Sequence, residues 1–285
     1  MAIKIKFDVA RTPEFPTLVL ARRDGSKIGM LTPSEVNLRG CLNDADEIQF
    51  KIYKEADGVE CPFWDDLVNF KLIWCKEWNA WFSITVELDE TNPKQIVKDV
   101  NCIALGESEL SQIMLYTIEI NTEDDIARDD YKVATLYNGE DHEASLIHRI
   151  TEKAPHYQLK HVDSTIANIQ RTFTFDGTSI YDAFQEIAEE IGCLFVLDCY
   201  SDSNGNLQRT ISIYDLETNC NACGHRGEFS YTCPECGSKD LNYGYGEDTT
   251  IFVSSDALGD EIQFETDTDS VKNCFRLEAG DDLMT

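Results

Sequence analysis

Four cysteines carry the sharpest chemical signal in the sequence. Cys220-Asn-Ala-Cys223 and Cys233-Pro-Glu-Cys236 are two CxxC pairs with nine residues between them. Each pair lets two thiolates and nearby backbone amides wrap one side of a tetrahedral ion, and two pairs close a four-sulfur site. Gly224 and Gly237 each follow a second cysteine, where the backbone must turn sharply around a metal. The pattern predicts a structural Zn2+ site. Four thiolates leave no open position for water, so the ion orders the chain and does not catalyse. Paired disulfides are the competing reading, which a reducing cytosol disfavours, and a redox site would use a single pair at a helix start. Residues 219–246 hold few apolar side chains, so the ion must supply the ordering energy, on the order of 10 kcal/mol. His225 is expected to be a solvent-exposed loop residue and not a ligand.

The other reactive side chains form no catalytic set. His142-Glu143 opens like a metalloprotease helix, but Leu146 sits where the second histidine belongs and His148 comes two residues too late. Asp202-Ser-Asn-Gly205 imitates part of a calcium loop, yet Tyr200 falls where its first carboxylate is required. The glycines build neither a dinucleotide fingerprint nor a Walker loop. Acidic pairs such as Glu189-Glu190 read as solvated faces. Cys41, Cys61, Cys75, Cys102, Cys193, Cys199 and Cys274 are scattered, most in apolar strand contexts, and read as buried free thiols. The sequence therefore predicts no catalytic residues, no cofactor besides Zn2+, and no enzyme.

Charge excludes further classes. The 285 residues carry 24 Lys+Arg against 53 Asp+Glu, a formal net charge of −29. Such a surface repels phosphate, so specific nucleic-acid binding and docking on anionic lipid are both disfavoured. The excess is uneven: 13 basic and 17 acidic side chains up to residue 105, then 11 against 36 beyond it. It suits either simple solubility or a wall that DNA slides past without sticking. The longest uninterrupted apolar run, Cys193 to Leu197, is far short of the roughly 20 residues a membrane helix needs. The N-terminus alternates like a strand and lacks a signal-peptide apolar region, so synthesis in the cytosol without Sec export is expected.

The elements that must position these groups follow from periodicity. Leu18–Arg23 and Lys27–Leu31 flank Asp24-Gly25, a tight-hairpin signal. Glu47 to Tyr53 alternates strictly, with Ile48, Phe50 and Ile52 on one face. Phe70–Cys75 and Trp81–Leu88 flank a turn at Glu77–Ala80, and Gln95 to Leu105 is also extended. Trp64, Trp74, Trp78 and Trp81 read as core and rim packing. Beyond Gly106 come acidic loops, as at residues 121–130, and a helix over about 144–153 stopped before Pro155. The clearest helix follows Asp176: Ile180, Ala183, Phe184, Ile187, Ala188 and Ile191 form one stripe. Thr178 or Ser179 caps its start and Gly192 its end. Cys193–Asp198 and Leu207–Tyr214 then form a hairpin closed near Asn204-Gly205, on which the stripe packs. Strands return at 251–253, 261–264 and 271–277. The fold class is β-rich α+β.

Several stretches in this order carry a resemblance: LARRDGSKIGML, DEIQFKIY and DLVNFKLIWCKEWNAWFSI early, then SLIHRITEKAPHYQLKHVD and IQRTFTFDGTSIYDAFQEIAEEIGCLFVLD, then DALGDEIQFETDTDSVKNCFRLEAGDD. The most telling is Thr172-Phe-Thr-Phe-Asp176 followed by Ser179-Ile-Tyr-Asp182. Together they resemble the N-terminal hub region of phage tail-tip proteins, the tail-associated lysin or prophage endopeptidase-tail family, over nearly the whole chain.

The resemblance implies two small β-barrels with α+β decorations, assembled as a homotrimer whose ring continues the tail tube. It assigns residues 1–105 to the first barrel, 106–255 to the decorating domain with a zinc-ribbon-like insert at 219–246, and 256–285 to the start of a second barrel whose remainder lies further on. It implies a distal tail protein above the ring, a tape-measure protein in the lumen, passage of DNA at ejection, and residence at the virion tail tip after assembly in the host cytoplasm. The zinc knuckles depart from the family pattern. The family's endopeptidase activity belongs to downstream hydrolase domains; a peptidoglycan endopeptidase and a zinc-ribbon adaptor are the rival expectations.

Overall fold

The computed structural model describes residues 16–40, 45–56, 58–91, 96–129 and 131–245. The expected strands beyond residue 250, the second barrel at 256–285, the N-terminal strand, Cys41 and Cys274 lie outside the described residues.

Alternating apolar residues build the first sheet. Its strands are β1 (Leu18–Ala21), β2 (Lys27–Met30), β3 (Glu35–Arg39), β4 (Glu47–Tyr53), β5 (Leu72–Cys75), β6 (Ala80–Thr91) and β7 (Ile96–Ala104). They lie in the order β2-β1-β5-β6-β7-β4-β3, every neighbouring pair antiparallel, and the described sheet ends at edge strands β2 and β3. In β4 the residues at even positions, Ile48, Phe50 and Ile52, are buried and those between are half-buried, which is the period of a pleated strand. The Asp24-Gly25 turn joins β1 to β2: Asp24 accepts from the Ser26 amide at 2.9 Å, and Gly25 takes a φ of +83° that a side chain would resist. One hydrophobic cluster sits on this sheet, with Leu18, Leu20, Ile48, Phe50, Ile73, Ile84 and Val100 at its centre.

A second cluster takes Ala21, Leu72 and Trp81 from the first sheet and the rest of its residues from the chain that follows. The chain passes through α1 (Leu105–Leu110) and β8 (Ile118–Ile120), then α2 (Leu146–Thr151), β9 (Gln158–Val162) and β10 (Phe173–Phe175). There follow α3 (Ile180–Ile191), β11 (Cys193–Ser201) and β12 (Leu207–Asp215). All six residues of the α3 stripe are buried, each contributing about 1.5–3 kcal/mol where it is a large aliphatic or aromatic side chain. Ser179 caps α3 by accepting from the Asp182 amide, and Gly192 ends it at a φ of +73°. Phe184 stacks on Phe195 with ring centroids 4.4 Å apart, so the helix packs on the hairpin as its periodicity requires. β11 and β12 pair antiparallel, and β9 adds to β12 in parallel. The Asn204-Gly205 turn is held by Asp202, which accepts from the amides of Asn204 and Asn206. The partial likeness to a calcium loop is thus a turn whose aspartate accepts from the turn's own amides.

The tryptophans pack as the sequence implies. Trp81 is buried in the second cluster and donates from Nε1 to Ser201 Oγ at 3.2 Å, while Trp74 lies 6.2 Å from it, centroid to centroid. The acidic stretch after Asn121, expected as a loop, contains one helical turn at Glu123–Ile126. Thr122 and Asp125 cap each other's backbone there, which satisfies amides a plain loop would leave to water.

Candidate metal centre

The insert grows from the end of β12 and has three short strands, β13 (Thr218–Cys220), β14 (Arg226–Gly227) and β15 (Leu241–Asn242), with β13 in the middle. Between residues 219 and 245 only Cys220 and Cys233 are buried. No apolar core holds this segment together, so its order must come from elsewhere.

Each CxxC pair forms the same knuckle. In the first, the Gly224 amide donates to the Cys220 carbonyl at 2.8 Å and the Cys220 amide to the His225 carbonyl at 2.8 Å. In the second, the Gly237 amide donates to the Cys233 carbonyl at 2.9 Å and the Cys233 amide to the Ser238 carbonyl at 2.8 Å. Gly224 and Gly237 sit at φ +75° and +71°, the left-handed turn expected of them. The knuckles bring all four Sγ atoms within 4.8 Å of one another, with Cys220–Cys236 and Cys223–Cys233 each at 3.5 Å. Among the described residues this is the one cluster of three or more metal-ligating side chains. A tetrahedral ion with bonds of about 2.3 Å to sulfur needs sulfurs just under 4 Å apart, so the donor set fits zinc in number, softness and spacing.

Crowded together, the four thiols oppose one another's ionisation. Burial works against ionisation of Cys220, but the amides of Cys223 and Ala222 and the neighbouring thiols outweigh it and bring its pKa down to about 7. Cys223 is favoured by the His225 amide yet pushed up to about 12 by the thiols of Cys236, Cys233 and Cys220. Four such groups ionise together only when a cation sits among them.

His225 lies outside the sulfur cluster. It is half-buried, and its ring stacks on Phe229 at 5.5 Å, so the expectation of a solvent-exposed histidine is corrected by a neighbour that covers one face. The scattered cysteines that are described are free, and Cys75, Cys102, Cys193 and Cys199 are buried. Burial pushes the thiols of Cys75, Cys193 and Cys199 up to about 12 and raises that of Cys102 too, so they stay protonated and inert.

Two further groupings were missed from sequence. Arg209 forks onto Glu109 at 2.6 and 2.8 Å, and Tyr157 donates to the same carboxylate at 3.0 Å. His142 and His148 stack on each other with ring centroids 3.7 Å apart, and Tyr137 also stacks on His148 at 5.1 Å. Five residues lie between the two histidines, and His142 precedes α2 while His148 sits within it, so no single periodicity signals the contact.

No family model matches the sequence. No curated protein matches it either. Solved structures do. Prophage tail protein gp18 from Listeria monocytogenes is 10% identical with a TM-score of 0.39, over 69% of this chain and 50% of that one. A tail protein from Neisseria meningitidis is 11% identical with a TM-score of 0.42, over 72% of this chain and 52% of that one. The 43 kDa tail protein of prophage MuSo2 from Shewanella oneidensis is 10% identical with a TM-score of 0.42, over 78% and 58%. The chain spans little more than half the length of these tail proteins, to whose fold its own is distantly similar.

Proposed function

We propose that this chain is a structural component of a phage tail: a wedge of a trimeric hub at the tail tip that closes the tube and opens for DNA ejection. What carries the reading is the stretch on which the sequence resemblance is strongest. Thr172–Asp198 folds as one continuous unit, strand β10, the Ser179 cap, helix α3 and the start of β11, and supplies the middle of the second cluster. A seven-stranded antiparallel sheet precedes it, which supports reading the first part as the β portion and the second as its α+β decoration. In this reading the ring contacts a distal tail protein, holds the end of a tape-measure protein, and presents acidic side chains that keep DNA from sticking as it passes. Cys220, Cys223, Cys233 and Cys236 hold one Zn2+ that orders the insert, supported by the sulfur spacing and the lack of an apolar core around it.

Light scattering on the purified full chain tests the assembly. A mass of three chains supports the hub. A monomer that persists at high concentration contradicts it, and release of muropeptides from cell walls would favour the endopeptidase instead.

A further inference from the structure

One side chain of the insert makes several polar contacts with the body at once. Arg226 lies three residues beyond Cys223 and opposite Asn219 in the β13–β14 pairing. Its Nε donates to both oxygens of Asp215 at 3.0 and 3.1 Å, and Nη2 donates to Asp215 Oδ1 at 2.7 Å and to the Gly192 carbonyl at 3.0 Å. Its Nη1 lies 3.0 Å from Glu217 Oε2. Asp215 is the last residue of β12 and is 3% exposed, and Gly192 is the left-handed residue that closes α3. A single guanidinium thus ties the metal knuckle to the end of the main helix and the end of the central strand.

The knuckle is anchored on its other flank as well. Asn219, next to Cys220, donates from Nδ2 to Asp215 Oδ2 at 2.8 Å. Both residues that bracket the first CxxC pair therefore converge on one buried carboxylate. The direction in which Arg226 leaves the chain is set by the turn from Cys220 to His225, which is the turn that the ion would hold. When that turn loosens, Asp215 loses its cation while still enclosed by β12 and the helix end. Breaking a buried pair in this way costs far more than losing a surface one.

Resting on the zinc reading above, we propose that metal occupancy and closure of the α+β body are coupled through Arg226 and Asp215. The ion locks the knuckle, the knuckle presents Arg226, and Arg226 holds α3 and β12 together at their ends. Coupling is reciprocal: whatever factor the ion adds to closure of the body, the latch adds to affinity for the ion. Arg226 is a positioning residue here and is not one of the four sulfur donors.

Amide hydrogen exchange on the full chain, with and without one equivalent of Zn2+, reads the coupling directly. Zinc should slow exchange within the insert and also at Gly192–Leu194 and Ile213–Leu216. Chelator competition should show Arg226→Met binding zinc about 10–100-fold more weakly than the wild type, with Arg226→Lys in between. Protection confined to residues 219–245, or an unchanged zinc affinity in Arg226→Met, overturns the coupling and leaves the zinc site standing. Failure of the wild-type chain to bind zinc with its thiols free overturns both. The exchange measurement needs no variant, so it decides the matter even where Arg226→Met does not fold.

Discussion

The side chain of Asn79 takes both backbone groups of Ser201. Its Nδ2 donates to the Ser201 carbonyl at 2.9 Å, and its Oδ1 accepts from the Ser201 amide at 3.0 Å. The carboxamide thus stands in for a neighbouring strand at the end of β11, across 122 residues of sequence. Trp74 donates to the same Oδ1 at 3.2 Å. The contact joins the turn between β5 and β6 to the α+β hairpin, so it bears on how the two hydrophobic clusters meet. Asn79→Ala should destabilise the fold by about 1–3 kcal/mol, because two backbone groups lose their partner. Asn79→Asp should cost a comparable amount, since a carboxylate cannot donate to the Ser201 carbonyl. Urea unfolding checks both; an unchanged midpoint for either would show that the clamp is dispensable.

The α3 stripe makes a sharper demand. Ile187 is fully buried in the second cluster, and Ile187→Ala should cost about 2–5 kcal/mol through lost contacts and the cavity left behind. Glu186→Ala, on the exposed face of the same helix, should change stability by less than about 0.5 kcal/mol. Thermal melts of the two variants would contradict the packing if their losses were alike.

Acid should weaken the protein in two stages. His148 is held below its ordinary pKa, first by burial and then by the facing His142, against the pull of Glu152. A histidine kept neutral in the fold stabilises it above the unfolded value of about 6.5, and that contribution fades as pH falls from there toward the folded pKa. Asp215 is held below the usual carboxylate value: burial opposes this, but hydrogen bonds from Arg226, Thr165 and Asn219 outweigh it. Its contribution is present above about pH 4 and is lost below it, as the folded pKa is crossed. Stability measured from pH 7 to 3 should therefore decline first below about 6.5 and again below about 4. In His142→Gln the His148 midpoint, followed by NMR, should move part of the way back up. A His148 midpoint at or above the unperturbed value in the native chain would contradict the burial of that ring.

Removing one sulfur should undo the insert and leave the first sheet. Cys233→Ser should abolish stoichiometric zinc and expose residues 219–245 to protease, while the β1–β7 sheet keeps its slow-exchanging amides. Metal analysis of the native chain should find about one zinc per chain. Four titratable thiols in this segment with no metal bound would remove the site.

Much of this architecture can be read from local pattern. Asp24-Gly25, the alternation in β4, the α3 stripe with its Ser179 and Gly192 ends, and each CxxC knuckle declare themselves within a short local stretch. What escapes a reading of the sequence is set over longer distances. Strand β9, Gln-Leu-Lys-His-Val, has too few apolar residues to alternate and is a strand because β12 offers it a parallel edge. Asn79 adopts a φ of +49° in the turn that brings it to Ser201, and nothing within that turn names its partner. Arg226 looks like any loop arginine. The one hint is its place just beyond a metal knuckle that follows a strand ending in aspartate.

The hub is tested most directly by an electron-microscope image of the full-length protein at low resolution. The account predicts a ring with three-fold symmetry and an open centre. Separate compact particles of one chain each, with no central hole, would contradict it.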